Sequence, residues 1–95
     1  MIKVVSKNYV KLEEIEKFKE LVVELIQETL KEEGCISYNL YEDINNKQIL
    51  TFIEEWKDKK AIELHRNSAH FKNIIPQLAK FHEKEKDINL YKNCF

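Results

Sequence analysis

One glycine, one proline and two cysteines are all that this 95-residue chain holds of the residue types that most restrict a backbone. A phosphate-cradling loop needs several glycines so that backbone N–H groups can close on the anion, so a P-loop and a dinucleotide fingerprint are both excluded. Any chemistry here runs without a nucleotide cofactor in the usual cradle. No secretory h-region stands at the N-terminus, and a reducing cytoplasm is expected, where structural disulfides are rare. Cys35 then reads as a small buried hydrophobe. Charge of one sign is also missing: 16 Lys and Arg stand against 17 Asp and Glu, interspersed along the chain. Nucleic acid needs a concentrated positive face, so it is not an expected partner. No apolar run approaches the roughly 20 residues of a membrane span.

What is present is hydrophobic periodicity. Ninety-five residues make one domain, residues 1–95, and a chain this short buries only about two-thirds of the surface its unfolded form exposes. Residues 2–10 alternate as a strand, with Ile2, Val4 and Val10 on one face. Ser6 and Asn8 share that face, two polar residues on the more apolar side. Residues 12–33 carry apolar side chains at helical spacing (Leu12, Ile15, Phe18, Val22, Leu25), with charge on the wet side. Gly34 is expected to end that helix in a left-handed conformation. Residues 35–44 and 47–56 read as a hairpin around Asn45-Asn46, whose side chains tolerate the left-handed turn a tight hairpin needs. Ile49 and Ile53 face one way, and Leu50, Phe52 and Trp56 the other, so both faces of that strand ask for cover. Helices can cover one, and a second subunit is the economical cover for the other. Residues 58–66 form a short helix with Asp58 as N-cap. Asn67 or Ser68 caps another, bearing Phe71, Ile74, Ile75, Leu78 and Phe81, in which Pro76 predicts a kink or a restart. Residues 86–92 give a last strand. The order β-α-β-β-α-α-β is an α+β, ferredoxin-like arrangement with an antiparallel sheet.

Few side chains can carry chemistry. Asn8 lies on the first strand. Tyr38, Tyr41, Phe52, Glu54 and Trp56 lie on the hairpin, with Glu54 and Trp56 on one side. His65 follows Ala61 by four residues and Ile62 by three, so it lies on or beside the buried face of its helix. His82, in FHEKEK, reads as a solvated surface histidine. His65 and His70 are five apart across a helix break. That is not the i, i+4 pair of a metal-binding helix, and no metal site is expected.

The stretch Ile53 to Phe71, IEEWKDKKAIELHRNSAHF, resembles the signature segment of the antibiotic biosynthesis monooxygenase family: Glu-x-Trp, then His-x-x-Ser-x-His-Phe, here Glu54, Trp56, His65, Ser68, His70 and Phe71. LKEEGCISY, residues 30–38, resembles the family's helix end and second strand. The resemblance implies a homodimer of ferredoxin-like subunits, a dimeric α/β barrel, acting on a small molecule. Its members include cofactor-independent oxygenases of quinols and phenols, heme-degrading enzymes, and an enzyme that isomerises or degrades a signalling diketone. No cofactor is expected here. The heme-degrading members have a tryptophan where this chain has His65 and an axial histidine about where Ile75 stands. A cofactor-free oxygenase needs an apolar pocket, a base, and donors for a developing anion. On that reading His65 is the base, with Asn8 and the Trp56 indole as catalytic partners. Tyr38, Phe52, Glu54, His70 and Phe71 contact substrate. The alternatives are an isomerase with the same inventory and a non-catalytic ligand-binding dimer.

Overall fold

The computed structural model describes residues 1–95. Strand β1 (Ile2–Val10) is followed by a 3-10 turn (Leu12–Glu14), helix α1 (Ile15–Thr29), strands β2 (Cys35–Glu42) and β3 (Ile49–Trp56), helices α2 (Lys59–Arg66) and α3 (Ala69–Ala79), and strand β4 (His82–Lys92). The sheet order is β2-β3-β1-β4 and every neighbouring pair is antiparallel. This is the ferredoxin-like arrangement expected from the order of elements.

Alternation decides which face the helices cover. Val4, Ser6, Asn8 and Val10 of β1 stand opposite or beside Leu50, Phe52, Glu54 and Trp56 of β3, and all eight are buried. Against them pack Phe18, Val22 and Leu25 of α1, Ala61 and Ile62 of α2, and Ile74 and Leu78 of α3. A fully buried aliphatic or aromatic side chain of this kind contributes about 1.5–3 kcal/mol. The opposite face carries Val5, Tyr9, Ile49 and Ile53, only half-buried, and Tyr41 and Tyr91, exposed.

Several local expectations change. Helix α1 stops at Thr29, and Gly34 does not take a left-handed conformation. Its requirement is steric instead: a Cβ there would collide with the Cβ of Ala61, so the missing side chain lets α2 approach the loop. The hairpin loop runs from Asp43 to Gln48 with no left-handed residue. Asp43 and Asn46 side chains instead accept the N–H groups of Asn45 and Gln48. Helix α3 runs unbroken through Pro76. Asp58 caps α2 by accepting from Ala61 N–H, and Ser68, not Asn67, caps α3 by accepting from Phe71 N–H. Strand β4 begins at His82 rather than at residue 86. His82 is therefore not a solvated side chain: it enters the space beneath the helices and gives its Nε2–H to Asn8 Oδ1 at 2.8 Å. Register shifts between β1 and β4 at Lys7, Tyr9 and Val10 accompany this placement, as bulges commonly re-aim a side chain.

Candidate functional site

Between the sheet and helices α2 and α3 lies a pocket with about 50 Å³ of free interior, enough for a few waters or a very small group. Asn8, Tyr38, Phe52, Glu54, His65 and Phe71 are among its lining residues. Ser6, Arg66, Ile75, His82, Lys86 and Ile88 line it too.

His65 is 3 % exposed and sits in an aromatic box, its ring centroid 4.6 Å from Trp56, 5.0 Å from Phe71 and 5.5 Å from Tyr38. Its Nδ1–H donates to Glu32 Oε2 at 2.7 Å. That bond fixes the tautomer and leaves Nε2 as the free acceptor of the ring. Burial pushes the imidazole below its ordinary range, and the bond to and charge of Glu32 oppose the shift.

Glu54 is the second perturbed group. Burial pushes its carboxyl up to about 7, against the Trp56 N–H it accepts and the charges of Arg66 and Lys86. Burial likewise pushes Lys86 down, and Glu54 opposes that. Burial pushes His82 down as well, with the Lys86 charge adding to the effect. The Tyr38 phenol is raised by burial and by the carboxylates of Glu54 and Glu32. Cys35 is pushed up to about 11, first by burial and then by Glu32 and Glu54, so it offers no thiolate at neutral pH.

Two expectations are corrected by these contacts. The Trp56 indole is fully buried and its N–H is spent on Glu54 Oε1 at 2.8 Å, so it has no donor left for a ligand. Asn8 retains one amide hydrogen: its Nδ2 donates to the Ser6 carbonyl at 3.0 Å while its Oδ1 serves His82. His70 does not line the pocket. It lies behind His65, and its Nε2–H donates to the same Glu32 oxygen at 2.7 Å. The turn between α2 and α3 therefore brings together two histidines that are not an i, i+4 pair of one helix. Ser68 braces that turn by donating to the His65 carbonyl at 2.6 Å.

Glu32, His82, Lys86 and Arg66 escaped the sequence reading. Glu32 falls in a charged run that reads as a wet helix face. Lys86 and His82 lie in a strand of alternating charge that reads as surface. Ile75 offers no ligand for heme iron.

Residues 1–77 match the profile of the antibiotic biosynthesis monooxygenase family. The chain is 31 % identical over 74 residues to the Bacillus subtilis (strain 168) protein named "Putative monooxygenase YcnE", covering 76 % of this chain and 78 % of that one. A crystal structure of a conserved protein from Methanosarcina mazei Go1 superposes with a TM-score of 0.94 at 49 % identity, over 96 % of this chain and 90 % of that one. Another, described as an antibiotic biosynthesis monooxygenase, gives a TM-score of 0.94 at 29 % identity over 98 % of both chains.

Proposed function

The chain belongs to the antibiotic biosynthesis monooxygenase family, and from that membership and the pocket beneath its helices we propose a cofactor-independent monooxygenase of a small quinol, phenol or enolisable substrate. The observation that carries the reading is His65: buried, held by Glu32 at Nδ1, with its Nε2 free beside the pocket.

The chemistry follows from that ring. Neutral Nε2 takes an acidic proton from the substrate and leaves a phenolate or enolate. The remaining Asn8 amide hydrogen and the Tyr38 hydroxyl donate to the developing oxyanion, and Phe52, Phe71 and Ile75 keep bulk water away. The electron-rich anion passes one electron to dioxygen, the two radicals join as a peroxide, and loss of water leaves a carbonyl. One oxygen atom ends in the product and the other in water. The free space of about 50 Å³ requires the pocket to widen as substrate enters.

An isomerase is the second reading, and one observation favours it. Glu54, whose carboxyl is pushed up to about 7, and His65, which burial pushes below its ordinary range, flank one pocket as a candidate acid and base. Such a pair can move a proton along an enolisable carbonyl without oxygen.

Oxygen uptake by the purified protein with a panel of quinols tests the first reading. Wild type should consume oxygen, and His65→Ala should be slower by about 100-fold or more. Equal rates would remove His65 from the mechanism. Substrate turnover without oxygen uptake would select the isomerase.

The same reading includes a homodimer closed through the sheet face that the helices leave open, where Val5, Ile49, Ile53, Tyr41 and Tyr91 lie. Sedimentation at micromolar concentration should give twice the chain mass of 11.5 kDa, and a monomer would refute it.

A further inference from the structure

Behind the pocket, three ligating side chains converge from three separate segments. His65 comes from the last turn of α2, His70 from the first turn of α3, and Glu32 from the loop between α1 and β2. Their donor atoms all lie within 4.8 Å of one another. Both imidazoles point an N–H at one carboxylate oxygen, Oε2, at 2.7 Å each.

We propose that Glu32, His65 and His70 form a binding site for a divalent transition metal of the zinc type, and that its occupancy switches off the base proposed above. The switching half rests on that reading of His65; the binding half does not.

The donor set argues for the metal class. Two imidazole nitrogens and one carboxylate oxygen suit Zn2+ and its transition-metal neighbours, whereas Mg2+ and Ca2+ prefer oxygen alone. Geometry argues for the fit. Metal–ligand bonds of about 2.0–2.2 Å at tetrahedral angles place donors of one ion about 3.3–3.6 Å apart. The two 2.7 Å contacts must open by about 0.6–0.9 Å and the two imidazoles, whose donor atoms lie within 4.8 Å, must close to the same spacing, movements that side-chain rotation can supply. The scaffold is already set. Ser68 braces the α2–α3 turn, and Cys35 N–H donates to the Glu32 carbonyl at 3.1 Å. The packing of Gly34 on Ala61 fixes the loop against α2. Glu32 and Ser68 also border an open depression of about 440 Å³ beside Lys57 and Lys60, from which water can complete the coordination of an ion that has three protein ligands.

The switch follows from proton bookkeeping. Without metal, His65 carries its proton on Nδ1 and Nε2 is basic. A metal on Nδ1 displaces that proton, and the neutral ring then carries one on Nε2. His70 makes the reverse exchange, from Nε2 to Nδ1. No net proton is released from two neutral rings, yet the pocket now faces an N–H donor instead of a base.

The test uses the full-length, metal-stripped protein and Zn2+ alone, with Mg2+ as the contrasting ion. Calorimetry should give one Zn2+ per chain, with no heat from Mg2+. Co2+ should give the visible absorption band of a low-coordinate site. His70→Ala and Glu32→Gln should each weaken Zn2+ by about 1,000-fold or more, beyond the roughly 10–100-fold loss of an outer-sphere partner. Circular dichroism checks that both variants fold. A wild type that takes no stoichiometric Zn2+ would overturn the proposal, as would two folded variants that bind it as tightly as wild type. Oxygen uptake should fall in proportion to Zn2+ occupancy. Full activity at saturating Zn2+, with His65→Ala inactive, would overturn the switch. Activity retained by His65→Ala would instead overturn the reading of His65 as base, while calorimetry still decides the metal site.

Discussion

Glu54→Gln should make the protein more stable at neutral pH while changing little in acid. Glu54 sits on a central strand, 7 % exposed, and burial moves its carboxyl from an ordinary 4.5 to about 7. Below pH 4.5 the group is protonated in both folded and unfolded chains, and the cost of burying a charge is absent. As pH rises from 4.5 to about 7 the unfolded chain releases the proton and the folded chain keeps it, so stability falls. Above that window the folded state carries the full cost. At ~1.4 kcal/mol per pH unit, the window is worth about 3 kcal/mol. Glutamine keeps an oxygen for the Trp56 N–H and has no charge to bury. Relative to wild type, it should therefore gain about 3 kcal/mol more at pH ~8.5 than at pH ~4.5. Buried His65 and His82, both lowered, work in the opposite sense: their stability is present above their ordinary 6.5 and lost as pH falls. They act equally in both proteins and cancel in the difference. Arg66 of α2, Lys86 of β4 and Glu32 are the other charges facing Glu54; none is replaced, but Lys86 loses the carboxylate that opposes its downward shift, which reduces the gain at high pH. Urea unfolding followed by Trp56 fluorescence, the only tryptophan in the chain, at fixed protein concentration, measures the effect. A difference between the two pH values of less than ~0.5 kcal/mol would refute the burial of this carboxyl as its governing environment.

Gly34→Ala should cost about 1–3 kcal/mol by driving a methyl into Ala61, and Ala61→Gly in the same chain should recover part of it; additive losses in the double variant would contradict the contact. Thr29→Val should raise stability by about 1 kcal/mol, because the Thr29 hydroxyl is fully buried with no hydrogen-bond partner; a loss in thermal unfolding would contradict this. In metal-free buffer, turnover should rise with pH through a point below 6.5, since burial lowers His65 and only its neutral form accepts a proton. A rate flat across that range would exclude a histidine base.

The architecture was readable because its signals are periodic. The α1 stripe from Ile15 to Leu25 and the alternation of β1 and β3 state which faces are buried. The two caps, Asp58 and Ser68, are local hydrogen-bonding patterns that sequence displays directly. Gly34 was found for the wrong reason: a glycine required by a left-handed turn and one required by a neighbouring helix look alike until the neighbour is known. The site was legible only in part. Ser6 and Asn8 announced themselves as polar residues on an apolar face, and His65 by its distance from Ala61 and Ile62. Glu32 could not be found, because its role depends on two histidines 33 and 38 residues away. Trp56 was expected to offer its N–H to a ligand, but that N–H is held by Glu54, which only side-chain geometry reveals.

Strand β4 pairs with β1 almost end to end, Ile2 against Lys92 and Val10 against His82. The hydrogen bonds that seat His82 and the wall that includes Lys86 and Ile88 therefore join segments more than 70 residues apart in sequence. Non-local pairing of this kind carries a larger loop-closure cost than the hairpin or α1, so it is expected to form after them. The pocket is thus expected to be completed late in folding, when β4 docks on β1. An edge strand is also a natural first unit to detach by sub-global opening. Amide hydrogens of β4 should then exchange faster than those of β3, and site integrity should be lost before the fold.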